Sequence, residues 1–538
     1  MARTLLTLLF ALCLMPILGT PVEAQGSDGT QVRVAGMPAP MVRTRADRRA
    51  SAQTEVQRAP EIKPFRPTMD PAAYLAIKAA AGAERRAGAT PSNVPLDISP
   101  RDVPAVEDTN CNGIAQGAPL AGSGFPPDTH GAVGTTQYVH IVNSAIRVHS
   151  KVPTPAGDCP TLETNSLAVF FLYFEKTLFD PRVIYDPVYD RWIVSAEGFP
   201  ETDGDQFHFV AVSQTGDATG SYNIYSFNVG VEFGGLFWDY PQLGLDEDAI
   251  GITANLFGGA GYVGSVVTFW QKHRMYAGLP IFPCFFGPAA PFNVGTIAPS
   301  ILYHPQASTT VLATTSPSSD RVRLYKFAGT SRICPTFTFN DIGVTAFSVP
   351  PFAEQPGTTA VLDTLDARFQ NAGVQQGFGN AFGDLIVWQV HTIARGAFAA
   401  GRMYKINATT NTVLEECPIV TASTADDFNP SIAVNGLQHV FINYSSTNKT
   451  AGFNPQVRAT GKHAAQACST LLGGVLVHQS PVPLTENFDA DIGAQRWGDY
   501  SAITIDPTDD NKAWGVNERV QLCCNTWKAR IFKATSVP

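Results

Sequence analysis

The sequence predicts an all-β protein on three observations: short runs rich in β-branched and aromatic residues, dense turn chemistry between them, and a group of strands that recurs along the chain. Glycine (46) and proline (40) punctuate 538 residues in which aromatics reach 10%, the balance of a turn-rich β protein with a large core. Charged residues make up only 15% and the net charge is -9, a balance that disfavours nucleic-acid binding, which requires clustered Lys and Arg.

Arg3 is followed by the apolar run Leu5 to Leu18 and then by Val22-Glu23-Ala24, an ending that suits signal peptidase. The run is too short to cross about 30 Å of hydrocarbon, so residues 1–24 read as a secretory signal. No later segment is apolar and uncharged over the roughly 20 residues a spanning helix needs. The cleaved chain is therefore expected to be soluble, monomeric, and secreted or periplasmic. Residues 25–104, rich in Ala, Pro and Arg, read as a linker or propeptide, largely disordered or loosely packed. One short helix is predicted there from Asp70 to Arg86, with Asp70 as the cap and Pro71 in the first helical position. Residues 105–538 form the predicted folded domain.

The recurring group opens on a polar residue, continues as an apolar β-branched strand, turns, and adds further strands. Asp180 is followed by Arg182-Val183-Ile184-Tyr185-Asp186, a turn, and Arg191-Trp192-Ile193-Val194. Comparable openings fall at Asp128, Asp239, Ser300, Arg368, Asn429 and Asp499. Their spacing of roughly fifty to seventy residues is that of a β-propeller, whose four-stranded blades bury their faces against neighbours around an axis. Seven openings predict seven blades, with six or eight still compatible. A pair of stacked sheets would account for the strands but not for the recurring openings.

Removal of Cys13 with the signal leaves eight cysteines, and an even number in an exported chain favours disulfides. Six fall into sequential pairs of similar separation, which invites Cys111 with Cys159, Cys284 with Cys334, and Cys417 with Cys468. Eight cysteines allow about 105 connectivities, so other pairings stay open. Cys523 and Cys524 form a vicinal bridge or pair elsewhere; without a CxxC partner motif zinc is disfavoured.

In a propeller the innermost strands line a central channel, and their entry ends open onto the face where ligands bind. That places nine candidates at the channel mouth: Asp128, His130, Asp239 and Asp499 for catalysis, and Asp180, Arg182, Tyr240, Arg368 and Tyr500 for ligand binding. Acids converging from different blades could divide general acid and base roles on a glycosidic bond, or bind one oxygen-loving cation such as calcium. Asp128 and His130, two residues apart on an extended chain, are expected on one face. Asp239-Tyr240 and Asp499-Tyr500 repeat one dipeptide, with Trp238 and Trp497 close before; an aromatic beside a carboxylate is how sugar sites join stacking to hydrogen bonding. The structural alternative for each Asp is a turn acceptor that closes the channel. Asp186-Pro187 and Asp506-Pro507 read as first-hairpin turns. There is no G-x-S-x-G elbow, P-loop, H-E-x-x-H or C-x-x-C-H motif. Asn407, Asn443 and Asn448 match the glycosylation pattern, which arises often by chance.

Phe125-Pro126-Pro127-Asp128-Thr129-His130-Gly131-Ala132-Val133-Gly134, Asp180-Pro181-Arg182-Val183-Ile184-Tyr185-Asp186 and Trp497-Gly498-Asp499-Tyr500-Ser501 resemble a group of largely uncharacterised secreted bacterial proteins. The resemblance runs from about Gly124 to the end and implies export and a propeller-like fold, with no reaction attached. Ser213-Gln214-Thr215-Gly216-Asp217-Ala218-Thr219-Gly220-Ser221-Tyr222 is similar to the Asp-box turn of sialidase-type propellers, with Tyr222 where the box usually has Trp. The arginine triad, Tyr-Glu pair and N-terminal arginine motif of sialidases are not recognisable. The sequence therefore predicts an exported propeller that binds carbohydrate or another extracellular polymer at the channel mouth, with cleavage left open. The alternative is a non-catalytic scaffold for a protein partner. An enzyme requires an open funnel with paired carboxylates, a scaffold a plugged channel.

Overall fold

The computed structural model describes residues 22–25, 31–34, 36–53, 55, 65–88, 105–118, 124–154, 158–199, 205–302, 309–376 and 383–536. The apolar run Leu5–Leu18 of the predicted signal lies outside them, whereas Val22–Gln25, across the predicted cleavage point, forms a strand paired with Gln31–Val34. Most strands among the described residues fall in seven antiparallel groups of four that follow one another at 130–166, 177–228, 237–286, 297–347, 373–419, 426–479 and 502–535, and a further small sheet joins Ala353–Glu354, Val361–Leu362, Phe488–Asp489 and Ala494–Gln495. The seventh group holds only three strands of its own, and Ala105–Ala115 pairs with Trp527–Thr535 to supply the fourth. Ser300–Ile301 pairs in parallel with both the third and the fifth group and joins them into one hydrogen-bonded sheet.

The first strands of the groups contact one another in sequence: His130–Val133 meets Thr177–Asp186, which meets Phe237–Leu245, which meets Ile297–Ala298; Gly373–Gln376 meets Ser300–Ile301 and Thr309–Thr314 and then Asp426–Val434, which meets Ala502–Asp506, which packs back on His130–Val133. Each strand pleat sends alternate side chains to opposite faces, and both faces are apolar. Seven apolar clusters result, each drawn mainly from two consecutive groups. Val139, Ile141 and Val148 pack on Val183, Trp192 and Val194; Ile193, Val210 and Val212 on Ile250, Ile252 and Trp270; Phe269 and Phe286 on Leu312 and Phe327. The series continues through the fourth to seventh groups. It ends where Trp514, Val516 and Ile531 of the last group pack on Val133 and Tyr138 of the first. Each such side chain contributes roughly 1.5–3 kcal/mol by leaving water.

Four disulfides are formed. Cys111–Cys159 ties the borrowed seventh-group strand to the first group, Cys284–Cys334 the third to the fourth, and Cys417–Cys468 the fifth to the sixth. Their separations of 48, 50 and 51 residues reflect matching places in consecutive groups. Cys523–Cys524 is the vicinal bridge, in the turn before Trp527–Thr535. The Asp-box-like turn joins Phe207–Ser213 to Tyr222–Asn228, and Asp217 Oδ1 accepts from Thr219 N at 2.9 Å, from Thr219 Oγ1 at 2.9 Å and from Gln137 Nε2 at 2.8 Å. Asn407, Asn443 and Asn448 are all buried, which removes them as glycan acceptors in the folded chain.

The segment 25–104, expected to be loosely packed, is docked on the sheets over its described stretches: Gln31–Val34 pairs with Cys284–Phe286 at the edge of the third group, and 36–53 and 65–88 lie on the sheets. Met41–Arg43 adds a fifth strand beside Tyr222–Asn228. The helix α1, Arg45–Ala52, starts in a Thr44–Asp47 capping box, and its buried Arg48 donates to Glu163 Oε1, Thr219 O and Gly220 O. The helix α2, Pro71–Arg86, has Asp70 accepting from Ala73 N at 2.8 Å and Pro71 in its first turn. No helix among the described residues is long and apolar enough to cross a membrane.

Breaking the Cys111–Cys159 staple by serine substitution at both positions should lower unfolding free energy by roughly 2–4 kcal/mol, as loss of a long cross-linked loop does. The same change at Cys523 and Cys524, which close almost no loop, should cost much less. Urea midpoints of the two variants check the order.

Candidate functional site

The polar openings converge at one end of the first strands, and the backbone there leaves regular pleating. Asp128 (φ 46), Asp180 (φ 48), Tyr240 (φ 60) and Asn429 (φ 52) are all left-handed. Asp and Asn tolerate that conformation; for Tyr240 it costs of order 1–3 kcal/mol. Pairing slips at the same places, between Asp239 and Gln242 and between Phe428 and Ser431. The expected common face of Asp128 and His130 fails for this reason, because alternation holds only along an extended chain. His130 is half-buried, its Nδ1 lies 3.4 Å from Val183 N, and burial together with Arg182 holds its imidazole well below the usual histidine range.

The polar groups freed from the sheets bond to neighbouring groups. Asn143 Nδ2 donates to Asp128 Oδ2 at 2.7 Å, and Asn143 Oδ1 accepts from Asp180 N at 2.8 Å. Arg182 donates from Nε to Pro241 O at 3.0 Å and from Nη1 to Asn371 Oδ1 at 3.0 Å, while Asn371 Nδ2 reaches Pro430 O at 3.0 Å. Asn429 Nδ2 donates to Gly498 O at 2.6 Å, and Asp499 N to Asp128 Oδ1 at 2.7 Å. These contacts link the first group through the second, third, fifth, sixth and seventh back to the first.

The other predicted residues fill this centre. Tyr500 Oη donates to Asp180 Oδ2 at 2.7 Å, Arg182 lies 3.3 Å above the Tyr500 ring, and Tyr240 meets Tyr500 edge to face at 5.0 Å. Arg368 lies 4.7 Å over Tyr240 and grips Asp366 with two bonds of 2.7 and 2.8 Å. All eight candidates other than His130 are buried, so the expected open mouth is replaced by a filled one.

Sequence reasoning missed Glu197, Asp363, Asp366, Arg496 and Glu518, which share the centre. Asp363 and Asp366 belong to Asp363-Thr364-Leu365-Asp366-Ala367-Arg368, and Arg496 directly precedes Trp497-Gly498-Asp499, so proximity to recognised openings could have found them. Nothing local marks Glu518, which lies on the second strand of the last group and accepts from Gly498 N at 2.6 Å. Burial, with Asp128 and Asp499 nearby, holds its carboxyl well above the usual range. Asp180, Glu197 and Asp239 each bring an oxygen within 4.8 Å of the others, a donor set suited to a hard cation such as calcium. Glu415, Cys417 and Cys468 also cluster, but the two sulfurs are bonded to each other and offer no thiolate.

The stretch 65–88 covers this centre. Phe65 packs on Tyr240, Leu365 and Tyr500. Arg66 stacks 4.4 Å over Phe237 and lies 4.0 Å from Asp239, and its carbonyl accepts from Arg368 Nη2 at 3.2 Å. Tyr74 Oη donates to Asp363 Oδ1 at 2.9 Å; Lys78 Nζ donates to Thr364 Oγ1 at 2.6 Å and Leu365 O at 2.7 Å. Burial lowers Lys78 to about 8 and raises Asp363 above the usual carboxylate range. At the opposite end of the first strands lies a cavity of about 540 Å³ lined by Val133, Tyr185, Pro187, Val434, Ile505 and Asp506 among others. The Asp186-Pro187 and Asp506-Pro507 hairpin turns are at its rim: Asp186 Oδ1 accepts from Val188 N, and Asp506 Oδ1 from Thr508 N.

No family model and no curated protein matches this chain. Among solved structures it is similar to a protein of unknown function from Dyadobacter fermentans, at 11% identity over 66% of this chain and 94% of that one, with a TM-score of 0.37. It is similar to a Trypanosoma rangeli sialidase in complex with sialic acid, at 10% identity over 74% and 59%, with a TM-score of 0.35. A third likeness is to the hemagglutinin-neuraminidase of Parainfluenza Virus 5, at 10% identity over 80% and 95%, with a TM-score of 0.36. All three are distant.

Glu518 generates a pH prediction. The folded chain keeps its proton to higher pH than the unfolded chain, which releases it near pH 4.3. Folding therefore loses stability as pH climbs from that value toward the folded one. Glu518→Gln, neutral throughout, should match the parent at about pH 4 and exceed it by pH 7. Urea titrations of both proteins at the two pH values check this, and an advantage that shrinks with rising pH overturns it.

Proposed function

We propose that the seven groups of strands are blades of a β-propeller, closed by Ala105–Ala115, in an exported protein that binds a carbohydrate or another extracellular polymer at the entry face. The observation that carries the ligand class is the edge-to-face pair Tyr240 and Tyr500 with the carboxylates of Asp180, Asp366 and Asp499 around it. Aromatic faces beside oxygen acceptors match the alternating apolar faces and hydroxyl rims of sugar rings. Export is supported by four disulfides among the eight cysteines beyond Cys13, since such bonds persist in oxidising compartments.

For cleavage the chain offers Glu518, whose carboxyl burial holds well above the usual range, beside the carboxylates of Asp128 and Asp499. Binding is the reading adopted, because the Asp128 carboxylate, accepting from Asn143 and from Asp499 N, is held in the ring of hydrogen bonds. A non-catalytic scaffold is the second reading, favoured by the filled entry face.

A glycan-array and polysaccharide-degradation screen of the signal-cleaved chain, run beside Asp499→Asn, tests the proposal. One polysaccharide class should bind, and the substitution should weaken it about tenfold, the worth of a charged hydrogen bond. Near-UV circular dichroism should show the fold retained. No binder, or a binder indifferent to Asp499→Asn, overturns the assignment.

A further inference from the structure

We propose that residues 65–88 are a detachable cover over the entry face, so that ligand binding there is gated by their release, and that the polymer admitted carries free amino groups. The inference rests on the polymer-binding reading of that face. A helix docked for stability alone buries an apolar stripe. In α2 the two fully buried side chains are Tyr74 and Lys78, one turn apart, while Leu75 and Ile77 are half-buried. What holds the helix is polar: Tyr74 on Asp363, Lys78 on Thr364 and Leu365, and Arg85 on both oxygens of Asp426 at 2.8 and 2.7 Å. Arg85 also donates to Ala397 O and lies 3.8 Å from Glu354.

Release breaks few of the contacts that hold the sheets together. None of the seven apolar clusters between consecutive groups contains a residue of 65–88. The packing given up is local to the cover: half-buried Phe65 on Tyr240, Leu365 and Tyr500, buried Tyr74 beside Phe65, and the cations of Arg66, Lys78 and Arg85 over Phe237, Phe352 and Phe398. The released helix is rich in alanine, the residue with the highest helix propensity, so undocking does not force it to unfold. Release would uncover Tyr240 and Tyr500 together with Asp239, Asp363, Asp366 and Asp426, the carboxylates that Arg66, Lys78, Thr68 and Arg85 now address. A face whose present occupant supplies an ammonium and two guanidinium groups selects an occupant with the same charge. Joined to the tyrosine faces, that points to a polymer of amino sugars bearing unmodified amines.

The test uses the signal-cleaved full chain and its Lys78→Glu/Arg85→Glu variant, with Arg85→Ala as a milder second variant should the first fail to fold. Native-state hydrogen exchange reads the cover, and calorimetric titration with a glucosamine hexamer, against its fully N-acetylated counterpart, reads the face. Amides of 71–86 should exchange more than about tenfold faster in the variants, with those of the first strands unchanged, as loss of a buried ionic partner implies. Affinity for the glucosamine hexamer should rise by a comparable factor, because a closed fraction divides the apparent affinity directly. Exchange of 71–86 in step with the strands, or equal affinity in parent and variants, overturns the gate. Preference for the acetylated hexamer overturns the amino-sugar assignment. Faster exchange with neither hexamer bound supports the detachable cover and overturns the amino-sugar assignment, whereas absence of any binder in the glycan-array screen of the variants overturns the polymer-binding reading, so the two failures are distinguishable.

Discussion

The structure depends on each sheet having two apolar faces and only neighbouring sheets to cover them. A four-stranded group with Val, Ile, Phe and Trp on both sides cannot stand alone in water, so every group is sandwiched between the one before it and the one after it. The condition is met for all only because Trp514 and Ile531 of the last group find Val133 and Tyr138 of the first. The borrowed strand Ala105–Ala115, which pairs with the last group and leads in the chain to the first, and the Cys111–Cys159 staple both act at that junction. The other two long-range disulfides reinforce junctions between groups that are already consecutive in sequence.

The centre follows from the same packing. Where the first strands converge, left-handed residues and slipped pairing release backbone and side-chain polar groups that no sheet ladder satisfies. They are satisfied across groups, through Asn143, Arg182, Asn371, Asn429 and Asp499. The buried acids are thus structural first, and their chemistry is inherited from that role. Burial, with Asp128 and Asp499 close by, holds the Glu518 carboxyl well above the usual range. The stretch 65–88 completes the charge balance from outside, bringing Arg66, Lys78 and Arg85 to Asp239, Asp363 and Asp426.

Much of this was legible because it is local. The spacing of polar openings, the Asp70 cap with Pro71, the Asp217 turn and the two Asp-Pro hairpins each depend on a few adjacent residues, and the coordinates place them as those residues dictate. The cysteine pairing was legible for a different reason: separations near 50 residues match one strand group, so equivalent places in consecutive groups are joined. The cover was not, since Tyr74, Lys78 and Arg85 on an alanine-rich helix look like a solvated face unless the acids they meet are known. Glu518 was hidden as well, in a strand far in sequence from Asp128.

By itself, the sequence determined the strand groups, their number of openings, the turn chemistry and the pool of polar residues from which a site could be made, because propensity, periodicity and capping act over a handful of residues. Only the tertiary structure decided which of those residues meet, that they are buried rather than at an open mouth, and that an N-terminal segment lies over them. Burial and charge pairing depend on neighbours hundreds of positions away, such as Asp128 with Asp499 or Lys78 with Asp363, and no local pattern carries that information.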